Sequence, residues 1–174
     1  MAFHVATEGP SPHSVSTEPD KARPGQDLVE SIAAFSSAMD PLTRMVGSGA
    51  LENHPNLKFV LAECGIGWLA WVLQTMDEMN EKRHMWVEPK LDARPSEYFR
   101  RQGYATFQED AVGLRNRDIT GVETLMWGND YPHDEGTFPY SREAIKRTFA
   151  GIPEEDTRKI ICENAAKLYG FSSI

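Results

Sequence analysis

Leu125-Met126-Trp127-Gly128-Asn129-Asp130-Tyr131-Pro132-His133 is a short apolar run that stops abruptly in polar and metal-capable side chains. Thr124, Leu125, Met126 and Trp127 are bulky and strand-favouring, and Gly128, Asn129-Asp130 and Pro132 then break the strand at a defined edge. Asp130 is therefore expected at the carboxyl end of a buried strand. In parallel α/β folds reactive residues collect at such ends, because the loops leaving them form the concave face that the helices leave open. Taken alone, an Asp after a strand is more often a turn former or a helix cap.

Working outward, three further strands are expected. Met1 to Ala6 reads as a strand already in progress, with no preceding turn or cap. Leu57 to Ala62 follows the His54-Pro55-Asn56 turn and stops at Glu63-Cys64-Gly65. Tyr104 to Phe107 ends in Gln108-Glu109-Asp110. Between them lie helical patterns. Asp27 with Glu30 has the form of a capping box opening a helix whose Leu28, Ile32 and Phe35 share a face. Pro41 is expected to open a second piece carrying Leu42, Met45 and Val46 and ended by Gly47 or Gly49. From Trp68, the apolar residues Leu69, Val72, Leu73, Met76 and Met79 recur at helical spacing. Ser96 is placed as the cap of a helix closed by Gly103, and Ser141 as the cap of one that turns Ala144, Ile145, Thr148 and Phe149 inward. The last helix opens at Pro153, packs Ile160, Ile161 and Leu168, and stops at Gly170. Thr7 to Asp27, rich in Gly, Pro, Ser and Thr and containing His13, reads as a loop of about 20 residues, a length that usually marks function or mobility.

Strands alternating with helices predict a parallel sheet with right-handed crossovers, in a single domain over residues 1–174. The charge of −8, from 26 acidic and 18 scattered basic residues, gives no electrostatic footprint for nucleic acid. The two cysteines, Cys64 and Cys162, are far apart in apolar settings, which argues against a disulfide framework and for a reducing, cytoplasmic location. No apolar run approaches the length of a membrane span, and no basic region precedes a long apolar segment at Met1.

A polar residue stands at each expected strand end. His4, Glu63, Asp110 and Asp130 would share one rim, and imidazole with carboxylate donors suits zinc, manganese or iron. Trp68, Trp71, Trp86 and Trp127 could line a pocket, although core packing is the commoner use of such residues, and Arg115 and Arg117 could clamp a carboxylate.

Phe3-His4-Val5, the run from His54 to Glu63 with Gly65 and Gly67-Trp68, Met126 to His133, and Glu163-Asn164-Ala165-Ala166-Lys167-Leu168-Tyr169-Gly170 together resemble the amidohydrolase-related family. That family includes aminocarboxymuconate semialdehyde decarboxylase and related metal-dependent hydrolases. The resemblance implies a distorted TIM-type (β/α)8 barrel with a divalent metal, usually zinc, at the carboxyl ends of the strands. It implies that His4 matches the fifth-strand histidine that binds metal and Asp130 the eighth-strand aspartate that binds metal or handles the proton. His133 becomes a substrate-facing neighbour, and Glu63 an acid where several members carry a histidine; Asp130, His133 and Glu63 are thus the catalytic candidates. No His-x-His occurs in the 174 residues, so the first-strand ligand pair has no counterpart. The chain is expected to be strands five to eight, the carboxyl-terminal half of the barrel, with Met1 an internal methionine or a fragment boundary.

Two functions follow from this resemblance. One is the carboxyl-terminal portion of a metal-dependent hydrolase or decarboxylase acting on a small carboxylated or cyclic substrate. The other is an inactive half-barrel that persists only as a homo-oligomer or with a separate amino-terminal half, because open strand edges and an uncovered apolar face favour association.

Overall fold

The apolar residues of four short segments fall on alternate sides of an extended chain, and in a computed structural model of the protein those segments form one parallel sheet. The structure describes residues 1–4, 25–133 and 135–171, the side chains of 26, 27 and 30 excepted. Strands β1 (Ala2–His4), β2 (Phe59–Ala62), β3 (Gly103–Phe107) and β4 (Leu125–Trp127) lie in the order β1-β2-β3-β4. Every neighbouring pair is parallel, as the alternating pattern predicts. Up to residue 24 the predicted loop with His13 lies outside the described residues, and α1 opens at Gln26 after a left-handed Gly25, so Asp27 falls inside the helix rather than capping it.

Helices α1 (Gln26–Ser36), α2 (Met39–Gly47) and α3 (Ala50–Asn53) connect β1 to β2. Helices α4 (Leu69–Lys82) and α5 (Pro95–Gln102) connect β2 to β3. Two short helices, α6 (Ala111–Arg115) and α7 (Arg117–Thr120), lead to a 3-10 turn at Val122–Thr124 and then β4. After β4 come α8 (Ser141–Thr148), α9 (Glu154–Arg158), a π turn over Lys159–Glu163 and α10 (Asn164–Tyr169).

Register decides which face carries the core. Phe3 pairs with Leu61, Leu61 with Ala105 and Ala105 with Leu125, so this row points to one side of the sheet. On that side Phe59, Leu61, Ala105, Phe107 and Leu125 are buried with Leu69, Val72 and Leu73 of α4 and Phe99 of α5. Phe59 meets Phe99 edge to face with ring centroids 6.0 Å apart. Each buried Leu or Phe contributes about 1.5–3 kcal/mol relative to exposure. The other side carries His4, Ala62, Thr106 and Met126 in matching register. Its members Tyr104 and Thr106 are only half-buried.

Several local expectations change. α1 forms, but Leu28, Ile32 and Phe35 are 70%, 63% and 42% exposed. Helical periodicity makes a helix without choosing what it packs against. α2 starts at Met39 rather than Pro41. Pro95, not Ser96, opens α5 after an extended Arg94, because a first-turn proline loses no hydrogen bond. Ser96 is instead drawn to Asp77 of α4, its amide and hydroxyl donating at 2.8 and 2.7 Å. Ser141 is the first residue of α8 rather than its cap, and its hydroxyl lies 3.1 Å from that of Thr137. Ile161 is 37% exposed whereas Ile160 is fully buried; the π turn carries Ile160 and Asn164 inward in its place. The Asn164 amide then donates to the Val122 and Leu125 carbonyls, each at 2.8 Å, tying the last helix to β4. Gly170, with φ of 72°, ends the chain's last helix where the sequence places the stop. No helix among the described residues is long and apolar enough to cross a membrane.

Candidate active site

Because the strands are parallel, their carboxyl ends share one rim, and the residue that follows each strand reaches it. Glu63 follows β2 directly, and Asp130 stands three residues beyond β4. They are the two described non-glycine residues with positive φ, 57° and 58°. That left-handed conformation costs an L residue about 1–2 kcal/mol and persists only where neighbours enforce it. At Glu63 the amide leaves the β-ladder and donates to the Thr106 hydroxyl at 2.7 Å. At Asp130 a tight loop does the same work. His133 N–H donates to the Asp130 carbonyl at 2.9 Å, and Thr137 N–H donates to the Asn129 carbonyl at 2.9 Å. Gly136 lies inside this loop, where a Cβ would meet the carbonyl oxygens of Asn129, Asp130 and His133 at 2.8 to 2.9 Å. Only glycine fits so close an approach.

The side chains converge. His133 Nδ1 is 2.9 Å from Asp130 Oδ1 and 3.9 Å from Glu63 Oε2. Ligand atoms of Glu63, Asp130 and His133 all lie within 4.8 Å of one another. His4 Nε2 contacts Glu63 Oε2 at 2.7 Å, so His4 joins the group through Glu63. The Asp130 side chain is 5% exposed, whereas His133 is 53% exposed. The hydrogen bond that Asp130 accepts, followed by its charge, raises the His133 pKa above the ordinary imidazole value, with Glu135 and Glu63 adding to the effect. Two carboxylates facing a shared imidazole form a spot where positive charge is favoured. As a donor set of oxygen and nitrogen, it fits a divalent cation.

All four sequence-predicted residues, His4, Glu63, Asp130 and His133, therefore meet at one rim. The sequence expected His4 and Asp130 as the ligand pair, and the tightest donor group here is Glu63, Asp130 and His133. Asp110 stands on the rim but is not turned to the site: it accepts from the Ile66, Gly67 and Gly113 amides at 2.7, 2.6 and 2.8 Å. It caps α6 and pins the loop before α4. Arg117 pairs with Asp156 at 2.6 Å, which engages it away from a substrate, and Arg115 is exposed. Trp71 and Trp86 are exposed. The indoles of Trp68 and Trp127 donate to the Cys64 and Gln108 carbonyls, both at 2.8 Å, and so brace the segments that leave β2 and β3. Thr106 and Gly136 escape a reading of the sequence, since a strand threonine and a loop glycine carry no signal of what they touch.

The fold is thus a parallel α/β sheet with acids and imidazoles gathered at its carboxyl rim. The family model described as Amidohydrolase matches residues 11–171, and the chain belongs to that family. The structure resembles 5-carboxyvanillate decarboxylase from Sphingomonas paucimobilis at 28% identity and a TM-score of 0.64, over 81% of this chain and 41% of that one. It also resembles an amidohydrolase from Mycobacterium avium subsp. paratuberculosis K-10, at 23% identity and a TM-score of 0.68, over 82% of this chain and 36% of that one. A third similar structure is dihydroxybenzoic acid decarboxylase from Polaromonas sp. JS666, solved with bound manganese and the inhibitor 2-nitroresorcinol. It shares 20% identity at a TM-score of 0.64, over 93% of this chain and 49% of that one. The chain thus spans less than half the length of each of these structures, and its four parallel strands match part of their fold. No curated protein matches significantly.

Proposed function

We propose that the chain is strands five to eight of an amidohydrolase-type barrel, the carboxyl-terminal portion of a divalent-metal-dependent enzyme that decarboxylates a small cyclic carboxylate. The observation that carries this reading is the convergence of Glu63, Asp130 and His133 within 4.8 Å at the carboxyl rim of a parallel sheet. The 28%-identical relative, itself a decarboxylase, favours decarboxylation over hydrolysis. Glu63, Asp130 and His133 would hold the cation, with His4 beside them, and zinc, manganese or iron suits that donor set. When bound, the cation supplies Lewis acidity, which polarises a substrate oxygen. When the bond to the carboxylate breaks, carbon dioxide leaves and the electron pair stays on the ring carbon. The ring carbon then takes up a proton, which His4, the rim imidazole outside the cation-holding group, would deliver. The two free cysteines suit a reducing, cytoplasmic setting.

A second reading, an inactive half-barrel that persists as a homo-oligomer or beside a separate amino-terminal half, is favoured by one feature. Among the described residues β1 and β4 each pair on one side only. The deciding experiment is metal content by plasma mass spectrometry on protein purified without chelator, beside Glu63→Gln, Asp130→Asn and His133→Asn. Carbon dioxide release from aromatic carboxylates is measured on the same samples. Stoichiometric metal, lost in the variants, supports the enzyme reading; a soluble chain without metal or turnover supports the second.

A further inference from the structure

Thr106 lies on the open side of the sheet, in register with Met126 on β4. Its neighbour strand β2 is paired to β3 through Leu61 opposite Ala105. One residue past the end of β2, the Glu63 amide would in a continued ladder seek a backbone carbonyl of β3. It takes the Thr106 hydroxyl instead, at 2.7 Å. The chain turns left-handed there, with φ of 57°, and the Glu63 carboxylate comes to lie 2.7 Å from His4 Nε2 and 3.9 Å from His133 Nδ1. Thr106 is thus the side chain through which β3, which supplies no donor to the cluster, touches it. Neither the family match nor the motifs assign it a role.

We infer that Thr106 is a positioning residue for the metal site: its hydroxyl, by accepting the Glu63 amide, holds Glu63 in the turned conformation that presents its carboxylate to the cluster. This rests on the proposed metal site, and it predicts that the hydroxyl acts through Glu63 and not through general stability. Partners that orient a ligand without binding the metal are worth about 10- to 100-fold in affinity.

The test uses manganese as probe, titrated by calorimetry into the 174-residue chain stripped of metal, at a temperature where every variant is folded by circular dichroism. The variants are Thr106→Val, which keeps the shape and loses the acceptor, Thr106→Ser, which keeps the acceptor, Glu63→Gln, and the Thr106→Val/Glu63→Gln double variant. Thr106→Val should bind manganese about tenfold or more weakly, and Thr106→Ser should bind as the parent does. In the Glu63→Gln background Thr106→Val should cost nothing further. Thr106→Val binding as tightly as the parent would overturn the inference and leave the metal site standing. So would an equal loss from Thr106→Val with and without Glu63, since it would show an effect on the fold at large. A parent chain that binds no manganese would overturn the proposed metal site and the inference with it.

Discussion

The most informative single contact is the one between His133 and Asp130. A nearly buried carboxylate holds the imidazole 2.9 Å away and raises its pKa above the ordinary 6.5. Because the folded-state value is the higher one, the stabilisation from this pair is complete below about pH 6.5 and is lost as pH rises through the folded-state value. In chelator-treated protein, Asp130→Asn should lower the His133 titration midpoint, followed through its ring proton resonances; an unchanged midpoint would show that Asp130 is not its main partner. A second residue-scale contrast lies next to Glu63. Burial, with the Glu63 charge second, pushes the Cys64 thiol up to about 11, whereas Cys162 is half-exposed. Thiolate is the reactive form, so near pH 8 iodoacetamide should modify Cys162 in the native chain and reach Cys64 only after denaturation. Equal labelling of both thiols in native protein would contradict the packing of Cys64.

Among the elements, the loops at the carboxyl rim are held by single side chains that each serve several backbone groups. Asp110 is the clearest, accepting two amides from the loop before α4 and one from the first turn of α6. Asp110→Ala would strip partners from buried N–H groups, at about 1–3 kcal/mol for each one left unsatisfied. Its thermal midpoint should fall by many degrees. Asp110→Asn, which keeps one acceptor oxygen, should fall less. A variant as stable as the parent would mean that water replaces these bonds, and that Asp110 is free for another role. Helix α1 shows the opposite case. Its apolar stripe, Leu28, Val29, Ile32 and Phe35, is exposed, so the element contributes little burial in this chain.

At the scale of the molecule, the sheet's outer strands β1 and β4 each have one paired edge among the described residues, and unpaired edges are templates for association. With the exposed α1 stripe, this predicts self-association: light scattering after size exclusion should give a mass above one chain, and a monodisperse monomer would sink the expectation. Much of this fold is legible in the order of residues. Strand identity and direction, the strand-helix alternation and the stop at Gly170 follow from apolar periodicity and turn chemistry, which act between residues close in sequence. So does the choice of His4, Glu63, Asp110 and Asp130, because a polar residue after an apolar strand is a local pattern, whereas His133 is picked out by the family resemblance alone. What the rim residues do to one another is not local. Asp110 and Asp130 both stand beyond a strand end, yet one caps a helix and pins a loop while the other meets an imidazole. Arg117 looks like a substrate clamp until Asp156, 39 positions away, takes it. Thr106 is an ordinary strand residue until sheet register sets it 2.7 Å from the Glu63 amide, 43 positions away. Sequence by itself determined which segments become strands and helices and which side chains reach the rim. Tertiary structure alone decided how those side chains pair, because hydrogen bonds and ion pairs depend on distances that only the packed sheet brings below about 3 Å.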